Sequence, residues 1–598
     1  MNLSRVRTTD IIVGLLYIIC FLFGFTGFSQ YYAMYGEAAG FWTKSFQTLQ
    51  LFIMESAIEH DEIPVLLNIT RFMAPVLLAG TILNLFLGTV IRRINLFIIK
   101  YRFKEHIIFC GLGYKSFLLI QDYLRAGDHK NKIVVIEKDH ENLLAGNISD
   151  KRVRFIYGNA ENPEILKKAN VTKTTTVFAL TENDKTNINI THNIIDIFNT
   201  ENIEKKLKII LHVSDHFNMN IFKEFQERSV KNIDFHAFNI YQKIAAIVID
   251  EYSPDKFRRF AGPDAEQCHI LVHGLNRIGE QIIKEAIQLY HFADLRKPGI
   301  TVVDERLDEK VTEFRFKFPF IDQIADMTFI NSPDLFKDLK TTGIHDVSVC
   351  FICSETESQC YEIAKRYRQL FFKLRYKDIS DLNEREQPDL KLLEDPRIVM
   401  LLPRDPDILD LFVNFKSVTD FLHIDTFAFY THVCNKKMIA DDEDLTDNIA
   451  MQIHNIYLGL EEAELMPAWE KLTDSEKDYN RYPARHLAIK LRYLNAAIVP
   501  VTGEGVPFDI EKVPDEERLV LAKMEHNRWI AEKILGSYMF FEEIADKELQ
   551  SRLKSSLSLH KDIQPWAELT EQDRHKDNMM TDNIHTIVKA LGKKLIKI

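Results

Sequence analysis

Two uncharged apolar runs near the amino terminus restrict this chain more than any other feature. Residues 11–28 and 72–91 contain no Asp, Glu, Lys or Arg. A helix needs about 20 apolar residues to cross a hydrocarbon core, so both runs predict transmembrane helices. A cleaved signal peptide competes for the first run, with Arg5 and Arg7 as its basic start. The apolar stretch exceeds the usual length for that role, and no convincing small-x-small site follows it. A buried core helix competes for the second run, against its length and the Arg92-Arg93 pair that closes it.

Charge sets the orientation. Arg5 and Arg7 precede the first run, and Arg92, Arg93, Lys100, Arg102 and Lys104 follow the second. The loop of residues 30–70 holds five acids (Glu37, Glu55, Glu59, Asp61, Glu62) and one base, Lys44. Basic flanks stay in the cytoplasm, so both termini and the bulk of the chain are expected inside the plasma (inner) membrane, with the loop outside. Residues 41–55 of that loop are amphipathic and aromatic but too short to cross. They read as a re-entrant pore helix or as an interfacial helix anchored by Trp42. No Thr-Val-Gly-Tyr-Gly run follows, so a carbonyl-lined potassium filter is absent from the sequence. Gln50, Glu55 and Asn84 are the candidate pore residues.

The rest of the chain is more polar. Hydrophobic residues are 46% of the 598 and charged residues 27%, which excludes a disordered chain. A net charge of −12 argues against bulk nucleic-acid binding, which needs a basic face. Seven scattered cysteines fit a reducing compartment rather than a disulfide framework.

After the second apolar run the pattern becomes strand, Gly turn, helix, strand, acid. Residues 106–110 are an apolar run, Gly111-Leu-Gly113-Tyr-Lys-Ser116 follows, and a second run ends in Glu137. Glycines let the backbone approach a phosphate, the helix N-terminus supplies unpaired N–H groups, and a strand-end acid accepts from ribose hydroxyls. Further apolar runs alternate with helical segments, as in a doubly wound parallel sheet. The pattern then repeats, with Gly274-Leu-Asn276-Arg-Ile-Gly279 opening a helix and Asp304 ending the next strand. A side chain at Asn276 crowds a pyrophosphate, so this second site is expected to be degenerate or to take a smaller ligand. Cys350 and Cys353 have metal or redox spacing, but they fall in a predicted strand and read as core.

Two apolar helices followed by tandem Rossmann units resemble the regulator-of-potassium-conductance (RCK) family, also called Trk-type NAD-binding domains. Gly158-Asn159-Ala160 stands where that family often has Gly-Asp-Ala, and Thr181-Glu-Asn-Asp184 with Asn187 follows the fourth strand as in that family. The resemblance covers residues 104 to about 435 and implies nucleotide-controlled gating and assembly into rings. It makes Gly111, Gly113, Ser116, Glu137, Asn159, Gly274, Asn276, Gly279 and Asp304 the candidate cofactor-binding residues.

Beyond residue 445 a second repeat appears. Residues 451–457 resemble residues 524–529, each with a His-Asn pair, and Trp469-Glu-Lys-Leu472 resembles Trp566-Ala-Glu-Leu569. Thr473 and Thr570 read as helix N-caps. This pair of halves is similar to the ryanodine-receptor (RyR) repeat. Its expected ligand cleft is lined by Trp469, Arg481, Arg485, Arg528, Trp529 and Trp566, since rings stack on bases and arginine forks match phosphate. The bland alternative is an all-α packing module with the tryptophans as core.

The expected fold class is therefore α/β. It comprises a two-helix membrane domain (1–103), two doubly wound Rossmann-like units (104–253 and 268–440) and an all-α repeat domain (441–598). The expected function is ligand-gated ion permeation by a homo-oligomer, in a tetramer, controlled by NAD(H), an adenine nucleotide or a cyclic nucleotide. The competing readings are an antiphage or stress effector that disrupts the bilayer on sensing a nucleotide, and a non-conducting membrane-anchored receptor. No nucleic-acid partner, no metal and no enzymatic turnover are expected.

Overall fold

The computed structural model describes residues 8–598 apart from 57, 127–130, 216–231, 263–264, 333–345, 355, 381–395, 405–418, 421, 440–444, 460–464, 467, 470, 473 and 543. The chain forms two compact units. The first takes in residues 1–104 with two short stretches, 154–156 and 168–170. It is built on α1 (Thr8–Met34), α2 (Phe41–Gln50) and α3 (Val65–Arg102). A Cβ at Gly27 would stand 2.6 Å from the Leu67 backbone nitrogen, so glycine lets α1 and α3 meet at backbone distance. The spans Ile12–Met34 and Val65–Leu83 are long and apolar enough to cross a membrane, and only 22% of the apolar window in each is buried in protein. Leu15, Leu22, Phe72 and Val76 face outward, where a soluble domain would bury most such residues.

Helix α2 is amphipathic and lies along α1. Thr48 is buried against Gly24, the Lys44 ammonium donates to Ser29 Oγ at 3.2 Å, and Gln47 Nε2 donates to the Tyr32 hydroxyl at 2.8 Å. Trp42 is 82% exposed on the opposite face. Gln50 and Glu55 bond to each other at 3.2 Å just beyond the helix. The side chain of Asn84 lies outside the described residues.

The second unit contains two six-stranded parallel sheets. In the first, β1 (Ile107–Cys110), β2 (Ile133–Glu137), β3 (Val153–Tyr157), β4 (Thr176–Ala179), β5 (Leu207–His212) and β6 (Ile233–Phe238) run in the order β3-β2-β1-β4-β5-β6. In the second, β7 (His269–His273), β8 (Gly299–Asp304), β9 (Asp326–Asn331), β10 (Val349–Ile352), β11 (Arg397–Leu402) and β12 (Ile424–Ala428) run as β12-β11-β10-β7-β8-β9. Read from the other edge, this is the same order. Each order reverses direction beside its first strand, which opens a crevice at the strand ends where ligands bind in such sheets. The strands read as continuous apolar runs because helices cover both faces; every residue of β1, β2, β8 and β10 is buried. Cys350 and Cys353 are buried free thiols, and burial raises both of their pKa values.

The helices that matter below are α4 (Tyr114–Arg125), α5 (Asp184–Thr200), α6 (Ile240–Glu251), α7 (Arg277–Leu289) and α8 (Glu357–Ser380). The C-terminal part follows with α9 (Leu445–Leu458), α10 (Asp474–Tyr493), α11 (Asp515–Leu535) and α12 (Glu571–Asp582). It is mostly helical, but the all-α expectation is corrected. Strand β13 (Ala496–Pro500) pairs antiparallel with the terminal strand β16 (Lys593–Lys597), and the two-residue strands β14 (Met539–Phe540) and β15 (Leu559–His560) pair in parallel. The ladder escapes sequence reading because its strands lie almost a hundred residues apart. The duplication is visible as geometry: the His454 and Trp469 rings meet edge-on at 6.1 Å, and His526 meets Trp566 edge-on at 5.7 Å. Thr570 caps α12 by accepting from Asp573 N at 3.2 Å; Thr473 lies outside the described residues.

Candidate nucleotide-binding site

The two Gly turns begin alike. Gly111 has φ +88° and Gly274 φ +101°, a region that favours glycine. A Cβ at Gly274 would stand 2.4 Å from Cys353 O, and one at Gly279 would stand 2.0 Å from Gly274 O, so both positions need hydrogen as the side chain. The strand-end acids brace the turns in the same way. Glu137 accepts from Leu112 N at 2.6 Å and from Asp139 N at 2.8 Å. Asp304 accepts from Leu275 N at 2.8 Å and from Arg306 N at 3.0 Å. Asp304 also binds Lys310 Nζ at 2.7 Å. Burial works against its carboxylate, yet Lys310 and the two N–H groups hold its pKa below the ordinary value.

The turns differ at the helix mouth. Gly113 is the N-cap of α4 and offers no side chain to it, and a Cβ there would meet nothing within 4 Å. No side-chain cap therefore closes the first turn of α4 among the described residues. At α7, Asn276 Oδ1 accepts from Ile278 N and Gly279 N, both at 3.1 Å, while its Nδ2 donates to Cys353 O. Those are the donors a phosphate would use at a helix N-terminus. Asn276 thus does more than crowd a pyrophosphate: it replaces one. Asn276, Gly279 and Asp304 form a braced, self-capped turn rather than an open cradle.

Other groups gather around the first mouth. Ser116 is fully buried and its Oγ has no partner among the described residues. Lys115, on the first turn of α4, is 5% exposed; burial lowers its pKa, Glu182 and Asp184 pull it back up, and Arg277 of the second turn adds to the lowering. The His212 ring is buried with neither nitrogen bonded among the described residues, and burial followed by the Lys115 charge pushes its pKa down to about 3. Asn183 caps α5, Asn187 ties Thr181 to His212 O, and the Asp184 carboxylate accepts from Ser214 N and Asp215 N at 2.9 and 2.8 Å. Asn159 folds its own turn by accepting from Glu161 N at 3.0 Å. Lys115, Arg277 and His212 escape sequence reading because only folding brings the two turns together.

The expected cleft within the C-terminal domain is corrected. Arg528 is 1% exposed and is held by Glu525 at 2.8 Å and Glu532 at 2.7 Å, so it fills the core. Arg485 leaves the domain to bind Asp250 of α6 at 2.9 Å and Glu285 of α7 at 2.5 Å. Arg481 is forked onto Asp447 and reaches Asp478 at 3.1 Å. Trp469 is buried under Lys477. Trp529 and Trp566 flank His526, stacked and edge-on. The six residues do not line one cleft.

Residues 107–232, which span β1 to β5 of the first Rossmann unit, match the TrkA-N domain family. No curated protein matches the chain significantly. Among solved structures the chain is similar to GsuK bound to ADP, at 11% identity and TM-score 0.37, over 73% of this chain and 98% of that one. It is also similar to the GsuK channel bound to NAD, at 11% identity and TM-score 0.36, over 84% and 87%. The human SLO3 gating ring follows at 12% identity and TM-score 0.30, over 42% and 68%.

Proposed function

We propose that the chain is a nucleotide-controlled ion-permeation protein of a membrane, with both termini in the cytoplasm. The observation that carries this reading is the contrast between the two helix mouths, α4 open at Gly113 and α7 closed by Asn276. One open phosphate cradle per chain, in a TrkA-N domain, makes the first unit the ligand-responsive one. The second unit, with the same strand order, serves as its structural partner. The ligand is an adenine nucleotide or NAD(H), with Glu137 released from Leu112 N to hold ribose. The two apolar helices supply the membrane path, and the duplicated His–Trp pairs support a ryanodine-receptor-type repeat as a further sensing arm. The work done is binding and gating, not turnover.

Full-length protein in liposomes tests this. Addition of ADP or NAD is expected to change ion flux severalfold, with no hydride exchange. Flux that ignores both ligands, or the absence of any flux, would overturn the reading.

A further inference from the structure

The loop between the two apolar helices runs deep along them. Thr48 of α2 packs on Gly24, where a Cβ would stand 2.6 Å from Thr48 Cγ2. The 3-10 turn Leu51–Ile53 carries the chain further, and the Phe52 ring stacks on the Tyr17 ring with centroids 5.5 Å apart. Tyr17 donates to Thr81 Oγ1 at 3.1 Å, near the inner end of the second span. The chain reverses at Met54, φ +63°. By Glu59 it is back at Tyr31, whose hydroxyl accepts from Glu59 N at 3.0 Å and His60 N at 3.1 Å. Tyr17 and Tyr31 both lie in the span Ile12–Met34, about 21 Å apart along the helix. An interfacial helix sinks only about 5–10 Å. On the proposed topology this loop enters from outside, reaches well past that depth and leaves on the same side.

Two features of its return path are incompatible with lipid. Residues 54–60, apart from 57, form no helix or strand, and Ser56 and Ile58 make no backbone hydrogen bond among the described residues. Irregular backbone is tolerated at membrane depth only inside protein or beside water. The second feature is Glu55. Its N–H donates to Gln50 O at 3.1 Å and its carboxylate accepts from Gln50 Nε2 at 3.2 Å, yet the residue is exposed. Gln50 stands between Thr48 and Phe52, so this carboxylate is held at depth. Ionisable groups there face a bundle interior or water.

The two bases of the region are placed differently. Lys44 donates to Ser29 Oγ and lies over the Phe25 ring, between α2 and α1. Arg71 is only about 9 Å from the outer end of α3. A helical side chain leans toward its N-terminus, here outward, so this long side chain snorkels to the outer interface. Glu55, short and tied to Gln50, has no such route.

We propose that Glu55 and Ser56 line the water-filled constriction of the ion path, and that the path selects cations, one Glu55 carboxylate coming from each chain. This rests on the permeation reading above and names its ion class. Carboxylate rings select by sign of charge. With no carbonyl-lined filter in the sequence, potassium and sodium pass alike.

The test is ion flux through full-length protein in liposomes with ADP or NAD present. Potassium and sodium should differ by less than about threefold, and each should exceed chloride by at least about tenfold. Glu55→Gln, which keeps the shape and removes the charge, should lower the cation-to-chloride ratio at least about tenfold. Ser56→Cys gives an independent reading, and decides the matter if Glu55→Gln fails to assemble. A cationic methanethiosulfonate should block its flux and react at least about tenfold faster than an anionic one. Chloride passing as well as potassium, a ratio untouched by Glu55→Gln, or a Ser56→Cys flux indifferent to both reagents would overturn this proposal and leave permeation intact. No flux from the wild type would overturn the permeation reading, and this proposal with it.

Discussion

On the proposed reading, residue 113 can form a phosphate cradle only because it lacks a side chain. Gly113 has φ −81° and ψ 175°, a conformation open to any residue, so Gly113→Asn is sterically free to install the cap that Asn276 provides in the second unit. Asn is a better N-cap than Gly by a few tenths of a kcal/mol. The variant should therefore melt no lower than the wild type yet bind ADP at least about tenfold more weakly, equivalent to about 1.4 kcal/mol. Calorimetric titration checks this, and unchanged affinity would mean that α4 does not receive phosphate. The C-terminal arginines behave differently. Arg528→Ala takes one cation from each of the buried Glu525 and Glu532, leaving them only Lys490 and Lys533. Burial works against the Glu525 carboxylate, but Arg528, Lys490 and His486 hold its pKa well below the usual range. Removing one partner of such a group costs about 3–5 kcal/mol, so urea unfolding should show a large loss. A surface arginine would show almost none.

Among the elements, the first apolar hairpin gives the clearest test. Helices α1 and α3 expose apolar side chains along their length, while α2 presents polar groups to α1 and Trp42 outward. On the proposed topology, the basic flanks stay in the cytoplasm and the 30–70 loop lies outside it. Thr43 is exposed on α2, and all seven native cysteines are buried, so the background is low. Thr43→Cys should react with an impermeant thiol reagent on intact cells, and a cysteine at Ile598 should react only after lysis. The reverse labelling would invert the topology.

Two properties belong to the whole molecule. Two helices cannot enclose a pore, and homo-oligomers favour closed symmetry, so the proposed ion path requires a closed ring of several chains, four on the proposed reading, which native mass measurement checks. A dimer would count against conduction. The second property is acid sensitivity. Burial pushes His212 to about 3, His273 to about 4 and His291 to about 3. The folded values lie below the ordinary value of about 6.5, so the unfolded chain binds more protons between about pH 6.5 and those values. Stability therefore falls as pH drops through that window, by about 2 kcal/mol per histidine at pH 5. His212→Leu should flatten the slope by about one proton, read as the pH dependence of the unfolding midpoint. An unchanged slope would mean that His212 titrates normally.

Local patterns carried the sequence reading a long way. Strand runs, Gly turns, strand-end acids and uncharged helical spans are set within about 20 residues by backbone sterics and side-chain periodicity, so Gly111, Glu137, Gly274 and Asp304 stand where their spacing places them. The crowding expected at Asn276 was also legible, because a side chain at an N-cap has only nearby N–H groups to reach. What only the tertiary structure decided are the partners of long charged side chains. Arg485 finds Asp250 and Glu285 about 200 residues away, Arg528 folds into its own core, and β13 waits for the last strand of the chain. An arginine bound for a ligand and one bound for a buried carboxylate have the same local sequence signature. The difference lies in which surfaces dock, and docking follows from the burial of apolar faces across the whole chain.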